Sequence, residues 1–206
     1  MIKNAHFRDG YVYVKTLKVK RLLNALLIYG SYFLSKWTKK NHHKGLPIAV
    51  SLEPTTSCNL RCPECPSGLR SFTRPIGMLE PMLNKSLIDQ LKSTLTYITY
   101  YFQGEPYLNP NFTKMVSYAT QNKIYSATST NGHYLTDKNC KETIESGLSR
   151  LIISIDGVNQ ESYAKYRVGG SLDKVISGTK NLVKWKKQTN SKTPFIIWQF
   201  IVFGHN

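Results

Sequence analysis

Between residues 48 and 203, five short apolar runs (48–52, 97–102, 124–128, 151–155 and 195–203) alternate with stretches of helical periodicity near 84–95, 111–121, 137–146 and 172–188. Strands separated by helices of this length imply right-handed βαβ units and a parallel sheet, so the fold class is α/β. The 206 residues cannot hold a closed eight-stranded barrel, and Asn206 follows the fifth run without the helix that should cover it. The expectation is a partial (β/α) barrel of parallel strands, truncated after the fifth strand. That fifth run, from Phe195 to Phe203, is apolar at alternate and intervening positions alike, as in a strand buried on both faces.

The chain ahead of these strands has a different character. Within residues 1–46, ten Lys and Arg residues face a single acid, Asp9, a net +9 of the chain's +16. Residues 12–37 set Val12, Val14, Leu17, Val19, Leu22, Leu23, Leu26, Leu27 and Phe33 among lysines, which reads as one or two amphipathic helices with a basic face. Packing against the domain is the first expectation for them, and contact with a membrane surface the second. A KKNHHKG run at 39–45 looks like a linker, which divides the chain into a basic helical extension, 1–46, and a core domain, 47–206. The apolar stretch 22–34 is broken by Asn24, Gly30 and Ser31 and is shorter than the roughly 20 residues a bilayer span requires. Without a recognisable secretory signal in MIKNAHFRDGYVYVK, a reducing cytoplasm is the expected compartment. Charge of this kind can meet nucleic acid, anionic lipid or an acidic partner, but no known nucleic-acid module is organised here, and nucleic acid is not the expected partner.

Three of the four cysteines fall within eight residues, in Cys58-Asn-Leu-Arg-Cys62-Pro-Glu-Cys65, directly after the first strand, while Cys140 stands alone. That is the distribution of a metal site rather than of a disulfide framework. Soft thiolates select zinc, copper(I) or iron-sulfur. Structural zinc wants four protein ligands, and the spare candidates Cys140, His42, His43 and His133 lack finger-like spacing. A cubane 4Fe-4S cluster held by three cysteines leaves one iron open to an external chelator.

CxxxCxxC after a strand resembles the signature of the radical S-adenosylmethionine (SAM) superfamily, in which the open iron is chelated by SAM. The resemblance implies a 4Fe-4S cluster on Cys58, Cys62 and Cys65. Many members carry an aromatic residue where this chain has Glu64. Gln103-Gly104-Glu105-Pro106 resembles the family's GGEP motif with its first glycine replaced, which implies a SAM amino-group site at Gly104 and Glu105. Thr130-Asn131-Gly132 resembles the TNG motif, and Ser154-Ile155-Asp156-Gly157 the SxDG segment, whose serine contacts SAM and whose polar pair lies near the ribose. Tyr166-Arg167 resembles the segment whose arginine reaches the SAM carboxylate. Each turn follows a successive strand, at the face where barrel-like folds assemble sites.

The implied activity is reductive cleavage of SAM to a 5′-deoxyadenosyl radical that abstracts hydrogen from substrate, with a flavodoxin- or ferredoxin-type electron donor. The segments around the cysteines look like the subgroup that adds a C-terminal SPASM domain and acts mainly on peptides and proteins. A missing C-terminal domain or self-association is then expected to cover the fifth strand. Two other readings stand beside this one: a radical SAM enzyme acting on RNA, and a zinc-binding or non-catalytic remnant module.

Overall fold

The computed structural model describes residues 2–204 and Asn206, with residues 2–6 described by their helical backbone alone. Lys3, counted in the basic extension, therefore lies outside the described side chains. The chain opens with α1 (Ile2–Val14) and α2 (Val19–Thr38) and continues as β1 (Ala49–Ser51), α3 (Pro66–Leu69), α4 (Pro81–Leu91), β2 (Tyr97–Thr99) and a 3-10 turn (Pro106–Leu108). It goes on through α5 (Phe112–Gln121), β3 (Tyr125–Thr130), α6 (Asp137–Glu145), β4 (Arg150–Ser154), α7 (Gln160–Tyr166), α8 (Leu172–Gln188) and β5 (Phe195–Gln199). All neighbouring strands pair in parallel, in the order β1-β2-β3-β4-β5, so the sheet is the partial α/β barrel that the alternation predicts.

The differences from the sequence expectation have local causes. α4 starts at Pro81 rather than near 84, with proline in the first turn, where a missing N–H costs nothing. The helical periodicity expected from 12 onward resolves into two helices, the first beginning at Ile2, with a break between Val14 and Val19. α7 was not expected; it is announced by a capping box in which Asn159 accepts from the Ser162 N–H at 2.8 Å. β5 ends at Gln199, not at residue 203, because the Ile201 N–H leaves the ladder to donate to Asp156 Oδ1 at 2.8 Å. Nor is β5 buried on both faces: Phe195, Ile196 and Ile197 are half-buried, and Trp198 is exposed.

Register fixes which residues share a face, because side chains alternate along a strand. Val50, Ile98, Leu151, Ile153 and Ile196 face the helices and pack with Ile88, Met115, Val116, Val175 and Leu182 in one continuous core. Full burial of each such side chain stabilises by about 1.5–3 kcal/mol. The opposite, inner face carries Ser51, Thr99, Ala127, Ser129, Ile152 and Ser154, mostly small or polar, which leaves room at the carboxyl ends of the strands.

At the amino ends the space is filled by the two N-terminal helices. Asp9 on α1 accepts from the Tyr125 hydroxyl at 2.5 Å and pairs with Arg150, while Tyr13 packs edge-on against Tyr97 and Tyr125. Arg21 on α2, 1 % exposed, donates to the carbonyls of Thr16, Lys92, Asn122 and Lys123 at 2.5–3.0 Å. Lys92 and Asn122 are the C-caps of α4 and α5, where carbonyls lack helical partners and the dipole is negative. The 39–45 run folds back along α2: His42 N–H donates to Ser35 Oγ, and Asn24 exchanges two hydrogen bonds with the Leu46 backbone at 2.7 and 2.8 Å.

Candidate functional site

The cysteine loop leaves β1 and returns across the top of the sheet. Its shape is set by three close approaches. A Cβ on Gly68 would sit 2.3 Å from the Cys62 carbonyl oxygen, so only glycine lets α3 lie on the Cys62 backbone. Gly104, at φ +75°, has no room for a Cβ because the Thr55 and Ser57 carbonyls stand 2.1 and 2.8 Å from where it would be. Its glycine is thus explained by contact with the cysteine loop, not only by the approach of a ligand. Ser67 Oγ holds the two segments together, donating to the Thr56 carbonyl at 3.3 Å and accepting from Gly104 N–H at 3.0 Å.

Cys58, Cys62 and Cys65 rim a cavity of about 140 Å³, whose walls include Gly104, Glu105, Asn131, Ser154 and Arg167. All the site residues expected from the sequence are therefore gathered at one place. Cys140 is not among them: it is fully buried between α6 and α8, with Sγ 3.9 Å from the Gly178 carbonyl. The other candidate zinc ligands are elsewhere or engaged. His133 Nε2 accepts from Ser171 N–H at 2.8 Å, and the His42 ring bonds to Thr38 Oγ1 on α2. Among the described residues no three His, Cys, Asp or Glu side chains gather around a single-ion position. At about 140 Å³ the cavity has room for more than one water, each of which needs roughly 10–15 Å³ on the same measure. A polynuclear iron-sulfur group on three thiols fits this donor set.

Each thiol has a polar companion. Asn131 Nδ2 lies 3.8 Å from Cys58 Sγ, Arg167 Nη1 3.8 Å from Cys62 Sγ, and Cys65 Sγ 3.3 Å from Gln103 Oε1. Burial pushes the Cys58 and Cys62 thiols up from their ordinary value, opposed at Cys62 by the Arg167 guanidinium. A metal bound there would have to displace protons.

Glu105 is 1 % exposed, and its carboxylate is already engaged. It accepts from Thr130 Oγ1 at 2.7 Å, from Asn131 N–H at 2.8 Å and from Tyr107 N–H at 3.4 Å. An ionised carboxylate offers about four lone-pair sites, so one remains. Burial raises Glu105 to about 7 against the pull of those donors. Arg167 forks onto Asp156, with Nε and Nη2 each 2.5 Å from Oδ2, leaving Nη1 toward Cys62. Asp156 itself is fully buried and accepts from Ile201 N–H, so it braces Arg167 rather than standing open to a ribose.

The sequence reading passed over three contributors. Gln103 stands where the family motif has a glycine, yet its side chain meets Cys65 and its N–H donates to Glu53 Oε1 at 3.0 Å. Glu53 also pairs with Arg74, tying the strand exit to the loop that follows α3. Asn59 accepts from Asn131 Nδ2 at 2.8 Å. Glu53 carried a signal, as part of the segment just ahead of the cysteines that resembles the SPASM-bearing subgroup.

A parallel barrel sheet with three thiols at its carboxyl end defines a class, and the radical SAM superfamily model matches residues 52–196. The chain belongs to the radical SAM superfamily, whose members are iron-sulfur enzymes using a 4Fe-4S cluster and SAM. The AdoMet-dependent heme synthase of Methanosarcina barkeri is 30 % identical over 139 residues, covering 67 % of this chain and 40 % of that protein. Mycofactocin maturase MftC of Mycobacterium tuberculosis is 32 % identical over 136 residues, 66 % of this chain and 34 % of the maturase. The solved structure of anSMEcpe with bound AdoMet superposes with a TM-score of 0.59 at 19 % identity, over 75 % of this chain and 43 % of that one, a likeness of fold. The matched region thus spans well under half the length of these relatives.

Proposed function

We propose that Cys58, Cys62 and Cys65 hold a 4Fe-4S cluster, and that Gly104, Glu105, Asn131, Ser154 and Arg167 bind SAM against its open iron. The observation that carries this reading is the convergence of three thiols and four strand-end segments on one small cavity. When bound, this pair supplies one-electron reductive cleavage of SAM, with hydrogen abstraction from a peptide or protein substrate as the outcome. The residues of the chain have narrower tasks. Glu105 offers its remaining lone pair to the amino end of SAM, and Arg167 offers Nη1 to the carboxylate end, opposite charges for opposite ends. Asp156 holds the Arg167 fork in register, and Gly104 lets the loop carrying Glu105 sit against the cysteine loop.

Electron delivery is assigned to a flavodoxin- or ferredoxin-type donor, and a maturase among the relatives is in keeping with a peptide or protein substrate. Anaerobic reconstitution tests the reading. About four irons per chain are expected, with the iron and its visible absorbance lost in Cys58→Ala, Cys62→Ala and Cys65→Ala and kept in Cys140→Ala. Loss from Cys140→Ala, or full retention in Cys62→Ala, overturns it.

A further inference from the structure

α2 is amphipathic, and it is mounted with its polar side inward. Arg21, Asn24 and Ser31 are its buried residues, whereas Leu22, Leu23, Leu26, Phe33 and Trp37 are exposed, Leu26 by 68 %, Phe33 by 61 % and Trp37 by 84 %. These apolar residues fall along one side of the helix at 3.6-residue periodicity. The helix cannot roll to hide them, because rolling would break the four Arg21 hydrogen bonds and the two that Asn24 makes to Leu46.

We infer that this outer face of α2 is a docking surface for an anionic lipid bilayer, the helix lying in the plane of the headgroups. Charge complementarity selects this occupant. Residues 10–52 contain no Asp or Glu, and the exposed Lys18, Lys20, Lys36, Lys39, Lys40 and Lys44 lie on or beside α2. Leu, Phe and Trp on one face with lysines around it is the composition of an interfacial helix. No helix among the described residues is long and apolar enough to cross a membrane, so the helix lies on the surface. A second copy is disfavoured by the same lysines, since a two-fold interface sets identical patches against each other. The docking face also leaves the cavity free: α2 sits at the amino ends of β2 and β3, and the thiols at the carboxyl ends.

The test is co-sedimentation of the full chain with vesicles of phosphatidylcholine alone or mixed with phosphatidylserine. Binding is expected to the mixed vesicles only, to weaken as salt rises, and to shift tryptophan emission to the blue in wild type but not in Trp37→Phe. Leu26→Glu and Phe33→Glu, both at exposed positions, should abolish binding with far-UV circular dichroism unchanged. Each of Lys36→Gln, Lys39→Gln and Lys40→Gln should weaken it about fivefold. No sedimentation with either vesicle, equal binding to both, or binding that survives Leu26→Glu overturns the inference. So does light scattering that shows a dimer dispersed by Leu26→Glu without any vesicle binding, which would assign the face to a second copy.

Discussion

At the level of single residues, the site is held by groups whose conformational and electrostatic costs can be read individually. Gly104→Ala would place a Cβ 2.1 Å from the Thr55 carbonyl at a positive φ. A left-handed non-glycine residue alone costs about 1–3 kcal/mol; with the clash added, a loss at or above the top of that range is expected in urea denaturation, together with reduced iron loading. Glu105 makes a pH prediction. Its carboxyl is raised from 4.5 to about 7 by burial, so between those values the folded state binds the extra proton. Its neutral form therefore stabilises the fold at low pH, and that contribution is lost as pH rises from about 4.5 through about 7. The shift corresponds to about 3 kcal/mol. Denaturation midpoints of the cluster-free chain should fall over this window in wild type and stay flatter in Glu105→Gln; parallel profiles would remove Glu105 as the source. Arg167→Ala has a double effect, because it also strands the buried Asp156 carboxylate, a loss of about 3–5 kcal/mol. Arg167→Lys keeps the charge but not the fork, and is expected to fold while binding SAM roughly tenfold or more weakly in EPR titrations of the reduced cluster.

The elements divide by which end of the sheet they serve. α3 and the turn at Pro106–Leu108 shape the carboxyl end, whereas α1 and α2 close the amino end. Arg21 is the clearest link between elements, a buried guanidinium on backbone carbonyls at the ends of α4 and α5, with no partner for Nε among the described residues. Arg21→Met should destabilise the chain by about 3 kcal/mol or more, since hydrogen bonds to a charged donor contribute about 1.5–3 kcal/mol and several carbonyls are left without partners. Lysine should rescue it poorly, because an ammonium has three donors for four carbonyls and lacks the fixed guanidinium fork. Chemical denaturation of the three proteins decides this; equal stabilities would mean the contacts are replaced by water.

For the whole molecule, the site draws on the segments after β1, β2, β3 and β4, so its geometry depends on four of the five strands. Ligand that binds only the folded chain should stabilise it by about 2.7 kcal/mol at a hundredfold excess over Kd. SAM added to cluster-loaded protein is expected to raise Tm accordingly, and to do so neither in the cluster-free chain nor in Cys62→Ala.

Much of this was legible before the fold. The three cysteines declare themselves because ligand spacing is local, and the strand order follows because single-helix crossovers leave a parallel sheet few arrangements. The turns at Gly104, Asn131 and Ser154 were visible as strand ends, and α7 could have been found from Asn159 and Ser162. The meeting of Gln103 with Cys65 and the engagement of Glu105 by Thr130 were not visible, because each joins residues that follow or end different strands, and the bracing of Arg167 by Asp156 was not visible, because it joins the two ends of the β4–α7 segment and depends on side-chain rotamer. The same holds for α2. Its sequence determined that it would be an amphipathic helix with basic flanks, for which the ordinary expectation is an apolar face turned inward. Tertiary structure alone decided the orientation: the carbonyls at the ends of α4 and α5 needed a donor, Arg21 supplied it, and the apolar face was thereby turned outward.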